Sequence, residues 1–172
     1  DLTRVAEQLL SSPAAASHAE LPQTLNLISR RHVRNNNSWM HNFTRLIKGK
    51  ERCTLEIHPA DAAQRGLIEG QNVKITLFNN SISDDHHIVA PIAITANIQR
   101  GTVCLPHGFG HQREGIHMPI AQAHAGTSIN DVISHTHIDP VCGNAALNSG
   151  HVRVSALYPP YISPLHNKKP RL

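Results

Sequence analysis

A chain of 172 residues with 40 % hydrophobic but only 3 % aromatic residues has the length of one domain with tails. Its core must come from Val, Ile, Leu and Ala, which suits strands better than an aromatic-rich helical bundle. No apolar run reaches signal-peptide or membrane length, and the net charge of +4 with a pI near 9.3 favours an anionic partner without choosing among phosphate, nucleic acid and a polar subunit surface.

In chain order, residues 1–10 read as a short helix with Val5, Leu9 and Leu10 on one side. Residues 11–20, rich in Ala and Ser around Pro13, read as a linker, so 1–20 forms an N-terminal linker segment. Period-two alternation predicts strands over 24–29, 54–57, 72–78 (with Val73, Ile75 and Leu77 inward), 88–95, 102–105 and 152–157. One helix is signalled after the second strand, with Pro59 in its first turn and Gly66 as its stop, and Glu69-Gly70 turns the chain into the next strand. Residues 79–87 form a variable hairpin with no assigned role. The tail 158–172 carries Pro159, Pro160, Pro164 and Pro170 with Lys168, Lys169 and Arg171, and reads as an extended basic segment. The compact domain is therefore expected over 21–157. The chain starts at Asp1 and reads as an excised piece, with any targeting signal outside it.

Two long irregular stretches remain, 30–52 and 107–150. They are polar and rich in Gly, Asn and His, and loops of that length in a compact domain are usually functional. Cys53, Cys104 and Cys142 lie too far apart for a CxxC site; their odd number argues against a closed disulfide framework but leaves room for one bond.

The run HPADAAQRGLIEGQNV at 58–73 resembles the strand–helix–turn–strand element of double-psi β-barrels. LISRRHVRNNNSWMHN at 27–42 resembles the first cofactor loop of the molybdopterin dinucleotide-binding domain that ends the large subunits of the dimethyl-sulfoxide-reductase superfamily, formate dehydrogenases among them. LPHGFGH at 105–111, SINDVI at 128–133, DPVCGNAALN at 139–148 and the strand VRV at 152–154 are similar to later segments of that domain, in the same order. The resemblance implies a mainly β fold, a six-stranded double-psi β-barrel with a few short helices. It implies a C-terminal domain that clamps molybdopterin guanine dinucleotide, carrying Mo or W, in a formate-dehydrogenase-like oxidoreductase. The preceding domains of the same large subunit would be its partners, with an iron–sulfur electron-transfer subunit beyond them. Neither the family's catalytic metal ligand nor a Cys-rich iron–sulfur motif is present in this sequence, so the chain is expected to lack activity alone. A cytoplasmic location, no membrane segment and no nucleic-acid partner are expected.

Binding such a group takes guanidiniums for phosphate and amide donors for ring edges. Arg30, Arg31, His32 and Arg34 follow a strand and should emerge together at one barrel rim, unless they are a solvated basic edge. Asn37, Ser38 and Asn42 continue that loop with groups suited to a heterocycle, as do Asn35 and Asn36. Trp39 would stack on the cofactor or pack against a subunit. Gly108 and Gly110 allow close backbone approach, with His107 and His111 facing the site. Asn130 and Asn144 can each read a ring edge. Asp139 accepts from guanine or forms an Asx turn before Pro140. In a closed barrel, loops leaving one rim converge, so 30–42, 107–111, 128–130 and 139–144 should form one polar face, with the 79–87 hairpin elsewhere.

Two other readings compete. Fourteen histidines raise an intrinsic metal site, and His135-x-His137 is cupin-like in spacing, but the Glu that should follow is missing and no HExxH motif is present. His86-His87, beside Asp84 and Asp85, fit a solvated turn. A double-psi peptide or nucleic-acid recognition module fits the charge but not the scarcity of aromatic residues for base stacking.

Overall fold

Residues 24–78, 87–133, 138, 139, 141–145, 148 and 150–157 are described by the structure, a computed structural model. The six strands are β1 (Leu25–Arg30), β2 (Leu55–Ile57), β3 (Asn72–Leu77), β4 (His87–Ile94), β5 (Thr102–Pro106) and β6 (Gly150–Ala156). They close into a barrel in the order β1-β5-β2-β4-β3-β6. Alternation explains the interior: Leu25 and Leu27, Val73 and Ile75, Ile88, Ala90 and Ile92, and Val152 and Val154 all turn inward and are buried. The aliphatic core expected from composition is the one observed.

Two of the six pairings, β1 with β5 and β2 with β4, are parallel; the rest are antiparallel. Because β5 lies between β1 and β2, the connection from β1 to β2 must cross the end of β5. The connection from β4 to β5 likewise crosses the end of β2. These interlocked crossings are the two psi turns of the double-psi barrel.

Each barrel end is closed by side chains. At the lower end, α2 (Pro59–Gln64) buries Ala62, and Leu67 follows it into the core. His58 caps this helix, its Nδ1 accepting from Ala60 N–H at 3.1 Å. Gly66, at φ +63, ends it as expected. Asp61 is buried and accepts from Gly101 N–H at 2.7 Å, while Gly101 O accepts from Asn26 N–H at 2.8 Å. One carboxylate thus ties the helix to the β4–β5 turn and the start of β1. At the upper end, Ile129 and Val132 of a 3-10 helix (Ile129–Val132) complete the same core.

The predicted strands lie within two residues of those observed. Two short helices, α1 (Thr44–Ile47) and α3 (Pro119–Ala123), fall inside stretches read as irregular. Neither is long enough to display a helical period. At the strand ends beside the expected hairpin, Leu77 pairs with Val152 near the start of β6, and Thr76 with His87. The hairpin's 79–86, the 1–20 segment and the 158–172 tail lie outside the described residues, apart from His87. Cys53, Cys104 and Cys142 are free thiols.

Asp61→Ala should lower stability by roughly 1.5–3 kcal/mol, the range for a hydrogen bond to a charged group. Asp61→Asn, which keeps an acceptor, should lose less. Urea unfolding checks both; equal stability of Asp61→Ala and wild type would show that the tie carries no weight.

Candidate functional site

Strand directions place the connections that leave β1 and β5, described over 31–54 and 107–133, at the upper rim. The first is a succession of turns in which Asn35 N–H donates to His32 O at 2.9 Å, Met40 N–H to Asn35 O at 3.2 Å and His41 N–H to Ser38 O at 3.1 Å. Asn36 and Asn37 take left-handed backbone, φ 41 and 60, which Asn tolerates better than most residues. That pair of asparagines shapes the loop as well as supplying amides.

The loop from β5 is laid directly on it. His107 N–H donates to Arg30 O at 3.0 Å. Gly108, at φ +100, lies so close that a Cβ there would stand 1.8 Å from Asn37 O. His41 Nδ1 and His111 Nε2 are 2.7 Å apart, and the Phe109 ring packs on His41 with centroids 4.4 Å apart. The third stretch joins through Gly110, where a Cβ would meet Ser128 Cβ at 2.7 Å. Cys53 Sγ accepts from Thr127 N–H at 3.2 Å, and burial pushes this thiol up to about 12, leaving it an inert packing group.

Three of the four expected stretches therefore converge. The fourth, 139–144, leaves the same rim, anchored where Asn148 Oδ1 accepts from Ser29 N–H at 2.9 Å. Among the described residues no hydrogen bond joins it to the other three.

The individual residues differ in placement. Arg30 turns back over the barrel instead of opening onto the face: its guanidinium donates to Cys104 O at 3.1 Å and to Arg52 O and Thr54 O at 3.3 Å, and pairs with Glu56 at 3.3 Å. Arg31 is exposed and donates to Asn37 Oδ1. Arg34 is exposed, its Nη1 3.5 Å from Lys48 O. His32 and Ser38 are half-buried, and His32 Nδ1 accepts from Arg34 N–H at 3.1 Å. Trp39 stands 77 % exposed on the loop. Asn42 Oδ1 caps α3, accepting from Ile120 and Ala121 N–H at 3.1 and 3.2 Å. His107 is half-buried, and His111 is buried behind the loop. The space that Gly108 leaves open is filled by Asn37. Asn130 and Asn144 are exposed. Asp139 forms the Asx turn, its Oδ1 accepting from Val141 and Cys142 N–H at 2.8 and 2.9 Å. These bonds hold its carboxyl below the usual carboxylate range.

The electrostatics are basic with neutral imidazoles. His32 is lowered by burial and then by the charges of Arg52, Arg34 and Arg30. His107 is lowered by burial and by Arg31. His41 falls to about 4, through burial, His111 and Arg52. Arg52 and His41 carry no sequence signal as site residues, although Arg52 closes before β2 the loop that Arg30 opens after β1. Arg52 has buried Nε and Nη2 groups without partners, and the Asn35 amide, 1 % exposed, has neither Oδ1 nor Nδ2 paired. A cleft of about 30 Å³ beside Arg52 is lined by Ile47, Gly49, Lys50, Glu51, Phe109 and His124. Among the described residues no three His, Cys, Asp or Glu side chains are grouped to hold a metal; His135 and His137 lie outside those residues. No helix among them is long and apolar enough to cross a membrane.

Gly108→Ala should destabilise by about 1–3 kcal/mol for its strained φ and by a similar amount for overpacking against Asn37. Gly49, at φ +118 with nothing within 4 Å of a Cβ, supplies the control with strain alone. Equal urea midpoints for Gly108→Ala and Gly49→Ala would refute the close approach.

The comparisons with known proteins bear on the whole rim. No curated protein sequence matches the chain. Among solved structures it is similar to acetylene hydratase from Pelobacter acetylenicus, at 19 % identity and a TM-score of 0.62, over 77 % of this chain and 18 % of that one. It is also similar to the rationally designed protein apDPBB_sym_79, at 12 % identity and a TM-score of 0.37, over 78 % of this chain and 96 % of that one. The first likeness speaks to the fold alone, and the chain spans less than a fifth of acetylene hydratase's length. The family model described as molydopterin dinucleotide binding domain matches residues 25–150, most of the chain and every converging loop; the protein belongs to that family.

Proposed function

We propose that the upper rim clamps one side of a molybdopterin guanine dinucleotide, carrying Mo or W, within a larger oxidoreductase whose preceding domains complete the pocket. The family implies a molybdopterin-type cofactor. What carries the finer reading is the convergence of loops 31–42, 107–111 and 127–128 on one basic rim. Side-chain chemistry supports the fit. The Asn35 amide is buried and unpaired, and a buried amide left so costs about 1–3 kcal/mol, so it suits a heterocycle that brings both donor and acceptor.

In this reading Arg31 and Arg34 meet the pyrophosphate, since both are exposed and guanidiniums match phosphate geometry. His32 and His107, held neutral by burial and neighbouring cations, can donate or accept without adding charge. Ser38, Asn37, Asn130 and Asn144 offer hydroxyl and amide groups to ring edges. Asn42, Asp139 and Arg30 hold the loops in shape, and Gly108 keeps them close. Trp39 covers the cofactor or a neighbouring domain with its exposed ring. The bound group supplies two-electron redox chemistry, while the chain supplies binding, orientation and electrostatics. A formate-type substrate, an iron–sulfur partner and a cytoplasmic location complete the proposal by resemblance, and the chain alone turns nothing over.

GDP, which carries the guanine and diphosphate, should bind the chain weakly and shift amides in 31–42 and 107–111. Binding should weaken with salt as phosphate contacts are screened. Shifts elsewhere, or none, would sink the assignment. Ser38→Ala and Asn144→Ala should change stability by less than ~0.5 kcal/mol. In the intact enzyme, cofactor retention should weaken by about 1–3 kcal/mol as a ring edge loses its partner, read by cofactor content after gel filtration. Unchanged content in both variants would remove these residues from the site.

A further inference from the structure

We infer that His41 is a positioning residue of the rim: with His111 it forms a one-directional hydrogen-bond relay that fixes the first loop against the loop from β5. Its ligand arm rests on the cofactor-face reading; the relay itself does not.

His41 is fully buried and does not face the rim as a ligand would. Its Nδ1 lies 2.7 Å from His111 Nε2, with the rings edge-on at 84° and Phe109 covering it. Two imidazole nitrogens at that distance need one proton between them, and His111 decides which ring holds it. The backbone of Gly108 hydrogen-bonds to His111 in the sense that favours a proton on that ring, so a carbonyl is accepting. Because His111 Nε2 is engaged by His41, the proton given to Gly108 sits on Nδ1. His111 Nε2 is then a bare lone pair, and His41 must donate to it from Nδ1.

That leaves His41 Nε2 as an acceptor, buried without a partner. Arg52 acts on it as a charge and not as a donor. Its Nη1 is held by Leu46 O at 3.0 Å, its Nε and Nη2 are buried with no acceptor, and its charge acts on His41. The two orphaned groups make no bond to each other, and the guanidinium charge keeps a proton off His41. The relay then runs from His41 to His111 to Gly108, whose α-carbon is pressed against Asn37. It tolerates one protonation state. A proton on His41 Nε2 would confront the guanidinium, and one on His111 Nε2 would confront the His41 N–H. The charged and titratable groups acting on His41 are His111 and Arg52; no carboxylate among them favours the charged ring.

Stability should therefore follow pH in a defined sense. The folded His41 value, about 4, lies below the ordinary 6.5. The unfolded chain binds the extra proton first, so the relay's contribution is complete above 6.5, declines as pH falls, and is gone below about 4.

The experiment uses nitrogen-15 spectra of the chain's imidazoles and amides. Expected are a His41 protonated on Nδ1 and not on Nε2, titration near 4, and amides of 31–42 and 107–111 that move together at that midpoint. Arg52→Met should raise the His41 titration. His41→Leu should displace the amides of both loops at neutral pH. His41→Asn, whose amide can donate in place of Nδ1, should restore them and abolish the acid transition. GDP affinity should fall about tenfold or more in His41→Leu, as when supports behind a ligand are removed, and recover in His41→Asn. Titration of His41 near 6.5, the opposite tautomer, or GDP affinity indifferent to His41→Leu would overturn the relay. A wild-type chain with the expected tautomer and coupled shifts but no GDP binding would uphold the relay and overturn the cofactor-face reading.

Discussion

Parallel pairing of β1 with β5 governs everything at the upper rim. Two parallel strands end on the same side, and β5 sits between β1 and the strand that follows it in sequence. The chain leaving Arg30 has no route to β2 except across the mouth of β5, where the chain leaving Pro106 must also pass. Two loops that must share so little space meet backbone to backbone. Gly108 is the point at which they touch, and the Asn36–Asn37 left-handed pair is the bend that lets the first loop pass.

That constraint separates what was legible in the sequence from what was not. Strands were legible because barrel walls have one dry face: Leu25 and Leu27, Val73 and Ile75, Val152 and Val154 each flank a residue less buried than themselves and announce themselves. The α2 element was legible because Pro59 and Gly66 punctuate it. The site was legible as a set of stretches, since polar loops of that length ask for a purpose. The jobs of single residues were not. Arg30 looks like Arg31 in sequence, yet one is consumed by backbone carbonyls of β5 and the β2 approach while the other faces water. His41 and Arg52 become related only through the fold, because partners for a buried polar group come from whichever segment is brought beside it. α1 and α3 are too short to carry a period and are set by contacts such as the Asn42 cap.

The rim also shows how a basic surface avoids excess charge. Arg30 is offset by Glu56, and the Glu51 carboxylate, which accepts from the N–H groups of Arg52 and Cys53, acts on Arg52 to raise it against burial and Arg34. The imidazoles beside them stay neutral because burial and neighbouring guanidiniums act in the same direction. The heads of Arg31 and Arg34 stay exposed on a loop that is itself pinned.

β1 begins and β6 finishes toward the opposite end of the barrel, Leu25 pairing with Val152 and Ala156 with Val73 at the start of β3. Both of these strand termini point to the end sealed by α2. A fluorophore attached at Ala156 would sit on the far side of the core from the converging loops. Immobilised at that position, the barrel would turn its upper rim toward solution, an orientation that suits binding measurements on a sensor surface.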